Sequence, residues 1–513
     1  MAATTQEEKH TLKQLSMENG IDKNGNSDGR LNKYACASVM AASIISAVFG
    51  YVIAVMSGAL VLIKEDLKIN DLQVQILAGM LHVSALPGCM AAGRTSDYKG
   101  RHLTIILSSI IFSLGSILMA CAPSYLVLMI GNCILGVAVG FALIIAPVYS
   151  AEISPPSYRG FFTSLPELSI NIGLLLGYVS NYLFEKLSLR LGWRMMVAVP
   201  AIPSLGLILL MLKLVESPRW LVMQGRVGEA RKVLLLVSNT KEEAEQRLKE
   251  IKGAVGIDEN CSLDIAEVPK KTRSGARVLK ELFCKPSAPV RRILIAAIGV
   301  HAFLQIGGIG AILLYGPRIF ERTGITNKSM LMLATVGIGA SKIIFSVIST
   351  FLMDKAGRRV LFVVGAGGMA VSFLGLGICM TIVENSNEKA GWEISFTVIV
   401  VTYILVAFMT LGIGATTWVY SAEIFPLRFR AQGLAVCVTV NRITNVIVVT
   451  SFISIYKRTT MGETFFLFAA INALALFFYC TLPETKGRSL EDMETIFGKK
   501  SQLEIQMKPH CNK

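Results

Sequence analysis

Charge is scarce in this sequence, and the acidic kind is the scarcer. Asp, Glu, Lys and Arg make up 17% of the 513 residues, as 35 acidic and 50 basic side chains with a net charge of +15. Water-soluble chains average about 25% charged residues, so a soluble globular domain is not expected. No HExxH, P-loop, GxSxG or Rossmann signature stands in a suitable context. An enzyme and an ATP-driven pump are therefore not expected, and no cofactor or metal is called for. The first 33 residues hold no apolar core before a small-residue cleavage site, so no signal peptide is expected. The ten cysteines show neither a CxxC nor a paired extracellular spacing. They read as small packing residues in helices rather than as disulfides or metal ligands.

What is abundant is apolar: 53% of the residues, with a mean hydropathy of +0.57. Apolar runs fall at about 34–63, 72–93, 102–122, 125–149, 161–184 and 193–214, then 290–320, 328–353, 360–382, 394–421, 431–456 and 463–482. Each is long enough to cross a hydrocarbon core of about 30 Å as a helix. The sequence thus predicts an all-α membrane protein with twelve transmembrane helices in two halves of six. The expected layout is a cytoplasmic tail over 1–33, a first bundle over 34–214, a linker over 215–289, a second bundle over 290–482 and a tail over 483–513. In the linker, residues 227–236 and 241–252 carry opposite charges three or four positions apart, as short surface helices do.

The basic residues are not gathered on one amphipathic face, so nucleic acid is not an expected partner. They sit between runs instead: Arg94, Lys99 and Arg101 after the second, Arg159 after the fourth, Arg358 and Arg359 after the eighth, Arg428 and Arg430 after the tenth. The positive-inside rule makes those exits, and with them both termini, cytoplasmic. The sequon at Asn327 falls in a short external loop near the bilayer, where a glycosyltransferase reaches poorly.

The halves also repeat each other. DYKGR, holding Asp97, Gly100 and Arg101, returns as DKAGR with Asp354, Gly357 and Arg358; AEISPPSYR at 151–159 returns as AEIFPLRFR at 422–430; Glu216 is answered by Glu484. One half-chain was duplicated. Duplicated helical bundles with charge clusters at matching helix ends are the plan of secondary transporters, which rock about a site between the halves. Arg101 and Arg358, with Glu152 and Glu423, can form ion pairs that join the halves when the cytoplasmic side is shut, or can serve as plain topology anchors. Inside the spans, Gly131, Gly136 and Gly140 suit close helix packing, and Gly307, Gly308 and Gly310 either packing or a broken helix beside a cavity. Lys342, Glu167, Arg442 and His301 are ionisable residues at membrane depth. Lys342 must face the interior, with Glu167 as a plausible partner. His301 reads as a packed, hydrogen-bonded residue.

The ordered set GRTSDYKGR, PVYSAEISP, VESPRWL, DKAGRR, WVYSAEIFPLRFR and PETKGR resembles the sugar porter family of the major facilitator superfamily. INDLQ, LGYVSN, PRWLVMQGR and AAIGVHAFLQ look most like plant polyol and monosaccharide transporters. The resemblance implies carriage of a sugar or sugar alcohol across the plasma membrane, with a proton as the usual co-substrate. It implies Glu167, Gln305, Tyr315, Lys342, Trp418 and Asn441 as substrate-binding residues. As gating residues it implies Asp97, Arg101, Glu152, Arg159, Asp354, Arg358, Glu423 and Arg430.

The chain also departs from the family pattern. Where the first span of the family carries a proton-accepting Asp, this chain has Val52, and where the fourth carries its Arg partner, it has Asn132. Losing one member of a buried pair costs about 3–5 kcal/mol, but losing both can be nearly neutral. A polar position of the seventh-span motif is Gly310. Proton symport, a proton-independent facilitator and a non-transporting sugar sensor all stay open at this stage. The sensor is the less favoured, because only about thirty residues follow Pro483.

Overall fold

The computed structural model describes residues 32–155, 159–255, 257–258, 264–265, 287–325, 327–385, 392–425 and 430–486. The first half consists of α1 (Lys33–Asp66), α2 (Asp71–Lys99), α3 (Arg101–Ala120), α4 (Tyr125–Ile153), α5 (Arg159–Phe184) and a sixth span divided into α6 (Leu189–Ala198) and α7 (Ala201–Met211). Three shorter helices follow, α8 (Pro218–Met223), α9 (Val227–Val237) and α10 (Lys241–Val255). The second half opens on α11 (Ala288–Ile306) and α12 (Ile309–Arg322), then α13 (Lys328–Ala356) and α14 (Arg358–Asn385). It ends with α15 (Trp392–Phe408), a π-helical turn (Met409–Gly414), α16 (Ala415–Ile424), α17 (Arg430–Arg458) and α18 (Met461–Thr481). Twelve spans among the described residues are long and apolar enough to cross a bilayer. Their outer surface is apolar, with Leu114, Ile202, Phe351, Val371, Leu474 and Phe477 all exposed, so lipid is the solvent they suit.

Helix ends follow local chemistry. Asn70 and Gln73 form a reciprocal capping box at the start of α2, and Thr460 and Glu463 do the same for α18. The side chain of Asn327 accepts from the backbone of Ser329 and Met330, so the sequon asparagine is the cap of α13. The side chain of Asn32 ties the start of α1 to the carbonyls of Leu236 and Ser238, at 3.1 and 3.0 Å, which fixes α9 to the first half. This end of the bundle is called the linker side, and the opposite end the far side.

Small residues set the helix contacts. A Cβ on Gly136 would lie 2.4 Å from the carbonyl oxygen of Leu81, and one on Gly140 2.3 Å from that of Ala85, so α2 and α4 touch backbone to backbone there. Gly50 and Gly173 do the same for α1 and α5. The glycines of the seventh span act differently. That helix breaks between Ile306 and Ile309, with Gly308 at φ +93 and no room for a side chain beside Phe468. Of the seven described cysteines, all are free; Cys437 is buried as expected, whereas Cys121 and Cys480 are exposed at helix ends rather than packed.

The two halves meet along α5 on α13, α2 on α17 and α1 on α12. The helix breaks of the second half fall near the middles of their spans, between Ile306 and Ile309 in the seventh and over Met409–Gly414 in the tenth.

Candidate functional site

A cavity of about 120 Å³ lies at mid-depth between the halves. From the first half it is walled by Phe49, Ile53 and Met56 of α1, Leu81 and His82 of α2, and Glu167 and Ile170 of α5. The second half contributes Gln305 and Gly310 at the helix break, Lys342 of α13, Trp418 of α16, and Arg442 and Asn445 of α17. Four of the six expected binding residues therefore share one wall system: Glu167, Gln305, Lys342 and Trp418. The other two stand outside it. Tyr315 is buried against Phe452 with its hydroxyl donating to the carbonyl of Val449 at 2.9 Å, and Asn441 lies behind Gln305 and Arg442.

A chain of amides shapes the second-half wall. Asn445 donates from Nδ2 to Gln305 Oε1 at 2.6 Å, and Gln305 donates from Nε2 to Asn441 Oδ1 at 3.2 Å. That same Asn441 oxygen accepts from Arg442 Nε at 3.1 Å and Nη2 at 2.5 Å. Asn445 Oδ1 has no hydrogen-bond partner among the described residues. At Gly310 a Cβ would lie 2.7 Å from Asn445 Nδ2, so the space of the missing motif side chain belongs to the asparagine. His301 is fully buried outside the cavity, with Nε2 3.0 Å from Ser421 Oγ and its ring edge-on to Trp418 at 5.0 Å. It positions the tryptophan, in keeping with a packed and hydrogen-bonded histidine.

The ionisable residues of the wall do not close on one another. Glu167 and Lys342 were a plausible pair from sequence, yet no ion pair within 4.0 Å joins them, and both face the cavity. Arg442 likewise has no carboxylate at contact distance among the described residues. His82, Arg442 and Asn445 were not picked as binding residues from sequence. Arg442 stood out only as a charge at membrane depth; His82 and Asn445 carry no signal beyond polarity in an apolar run.

The gating clusters sit on the linker side in matched form. Arg101 makes a two-pronged pair with Glu152 at 2.9 and 3.0 Å, and its backbone N–H donates to Glu216 at 2.9 Å. Ser217 donates to Glu152 at 2.5 Å, and Asp97 lies 3.6 Å from Arg101. In the second half Arg358 pairs with Glu423 at 2.9 Å, its N–H donates to Glu484 at 2.9 Å, and Thr485 donates to Glu423 at 2.6 Å. Burial raises the Glu484 carboxyl, but the backbone N–H groups of Lys486, Arg358, Arg359 and Thr485 outweigh it and hold the group below the usual glutamate range. Gly100 and Gly357, at φ +96 and +88, form the tight corners that let each glutamate reach the next helix start. The side chains of Arg159, Asp354 and Arg430 lie outside the described residues.

Each of these linker-side pairs stays inside its own half in this conformer, whereas the sequence expectation of pairs that join the halves applies to a shut linker side. Bridges between halves occur on the far side. Asp71 is 3.5 Å from Arg318 and also pairs with Lys457, Glu65 is 2.6 Å from Lys328, Ser329 donates to Glu185 at 2.7 Å, and Ser454 to Gln75 at 2.7 Å. At mid-depth Asn171 donates to Ser346 at 2.9 Å and Tyr178 to the carbonyl of Leu313 at 2.7 Å. The far side is shut.

Residues 38–497 match the family described as "Sugar (and other) transporter". The chain belongs to that family. Among relatives of this sugar transporter chain, probable polyol transporter 3 of Arabidopsis thaliana is 52% identical over 469 residues, covering 91% of this chain and 92% of that protein. Polyol transporter 5 of the same plant is 48% identical, covering 94% and 89%. The glucose transporter GlcP of Staphylococcus epidermidis is 31% identical over 447 residues, covering 87% and 93%. The solved structure of the proton:xylose symporter XylE bound to 6-bromo-6-deoxy-D-glucose superposes with a TM-score of 0.75 at 23% identity, over 91% of this chain and all of that one. A partially occluded inward open form of XylE from E. coli gives 0.73 at 24%, over 89% and 99%. The fold of this family member is that of the major facilitator superfamily, and its relatives are transporters rather than enzymes.

Proposed function

We propose that this chain carries a polyol or monosaccharide across the plasma membrane by alternating access, as a facilitator whose cycle needs no proton. The observation that carries the reading is the mid-depth cavity shared by both halves. Its wall mixes a flat aromatic face, Trp418, with donors and acceptors from Gln305, Lys342 and Asn445. Hydroxyl groups need such partners, and the carbon backbone of a polyol needs the apolar and aromatic ones. The polyol and glucose transporters among the relatives support the same substrate class.

The basic clusters lie on the linker side, so the positive-inside rule makes that side, and both termini, cytoplasmic. With the far side bridged, the conformer is then inward-facing. Independence from protons is supported by the first and fourth spans. Val52 is 1% exposed and cannot titrate, and Asn132 donates to the carbonyl of Leu77 at 2.7 Å, a bond within the bundle core. A symporter requires a group whose proton occupancy changes through the cycle.

A second reading has one observation in its favour. Glu167 is a carboxylate on the cavity wall without a contact ion pair, and it can serve as a substitute proton carrier. Proteoliposomes containing the purified chain separate the two. A facilitator equilibrates labelled sorbitol, mannitol or glucose at a rate unaffected by an uncoupler. External alkalinisation on adding substrate, with accumulation that collapses under uncoupler and in Glu167→Gln, establishes symport instead. Background uptake together with saturable binding makes the chain a sensor.

A further inference from the structure

We propose that the preferred cargo of this cavity is a polyhydroxylated acid, a sugar acid with one carboxylate that pairs with the guanidinium of Arg442. The inference deepens the transport reading above and rests on it. It starts from a charge count on the wall. The ionisable lining residues are His82, Glu167, Lys342 and Arg442. With the histidine neutral, that is two cations against one carboxylate. An excess positive charge at membrane depth is expensive unless paired.

The excess localises on Arg442. Its side chain is 6% exposed, and its only hydrogen-bond partner among the described residues is Asn441 Oδ1, reached through Nε and Nη2. That oxygen also accepts from Gln305 Nε2, so it has no capacity left for a further donor of the guanidinium. Five N–H donors make up an arginine head, and the rest of them find no acceptor among the described residues. A planar carboxylate matches that fork in two parallel bonds, which neither a hydroxyl nor a water reproduces. Lys342, 8% exposed and with no hydrogen bond or ion pair within 4.0 Å among the described residues, adds a second cation to the same cavity and balances Glu167.

One departure from the family pattern fits a changed cargo: Gly310 supplies no side chain where the seventh-span motif carries a polar one, and Asn445 fills its place with an amide. Val52 and Asn132 remove an acid and a base together, so they leave the count unchanged, and the excess rests on Lys342 and Arg442 against Glu167. Gln305, Asn445 and Trp418 are left to recognise the hydroxylated chain of the cargo.

The test uses the full-length chain in liposomes at pH 7, with counterflow of labelled sorbitol against unlabelled sorbitol or gluconate. Gluconate is expected to compete at about tenfold lower concentration, the effect of one charge-assisted bonding pair. Arg442→Gln should bring the gluconate-to-sorbitol ratio to one or below, and Arg442→Lys should keep it above one. Sorbitol counterflow that gluconate does not disturb overturns this proposal and leaves polyol transport standing. Counterflow with neither solute overturns both. Should Arg442→Gln fail to fold, judged by its thermal unfolding, the wild-type ratio decides alone.

Discussion

Trp418 shows how much one residue owes to its neighbours. The ring is held edge-on by His301, which is itself fixed by Ser421, so the aromatic face meets the cavity without the histidine reaching it. Truncating it removes a flat contact and leaves the amide chain of Gln305, Asn441 and Asn445 in place. Trp418→Ala is expected to raise the half-saturating substrate concentration about fivefold, for a contact of roughly 1 kcal/mol, at unchanged membrane abundance. Uptake kinetics set against surface biotinylation check it, and unchanged kinetics would remove Trp418 from the site. Glu167 and Lys342 stand out in the sequence because charge is rare in apolar runs and must face something other than lipid, while Gln305 is implied by the family resemblance alone. The same resemblance implies Tyr315 and Asn441, which have a different outlet: a protein carbonyl for one, an arginine for the other. Sequence cannot separate a polar side chain that faces a cavity from one that faces a neighbouring helix.

At the scale of helices, the duplicated corners are the most regular feature. Glu216 and Glu484 each cap a helix start across a glycine of positive φ. For Glu484 the folded-state carboxyl is depressed below that of a free glutamate. Its contribution is therefore complete above the free-glutamate range, near pH 4.3, and is lost as the pH falls through the lower folded value. Thermal unfolding of the detergent-solubilised protein should drop on acidification below about pH 4, and less steeply in Glu484→Gln. Equal slopes in the two proteins would mean that the corner does not couple to stability. The break at Gly307 and Gly308 was one of two options in the sequence. The structure takes the break, and glycine is needed there because Gly308 has a positive φ and Phe468 occupies the space of a side chain.

Across the whole molecule, the linker-side charges stabilise each half as a rigid body, while the far-side charges hold the halves together. Asp71 is the centre of the second group, meeting Lys64 of its own half and Arg318 and Lys457 of the other. Asp71→Asn is expected to shift the population toward a far-side-open form by about fivefold, for roughly 1 kcal/mol from a networked, part-exposed pair. Spin labels on Lys68→Cys and Thr459→Cys, in a background otherwise free of cysteine, should then report a longer far-side distance. An unchanged distance distribution would show that apolar packing rather than charge shuts that side.

Span count, duplication and the matched ends of the halves could all be read from the chain, because lipid demands about 20 apolar residues per crossing and punishes charge within it, leaving charge to the helix ends. Those are local constraints, written residue by residue. Which charges bridge the halves, which polar groups reach the cavity, and where the positive excess collects depend on the approach of helices distant in sequence. Asp71 and Lys457, or Gln305 and Asn445, become neighbours only when the two bundles close. Contact between them is a property of packing, and the apolar pattern that creates the helices says nothing about it.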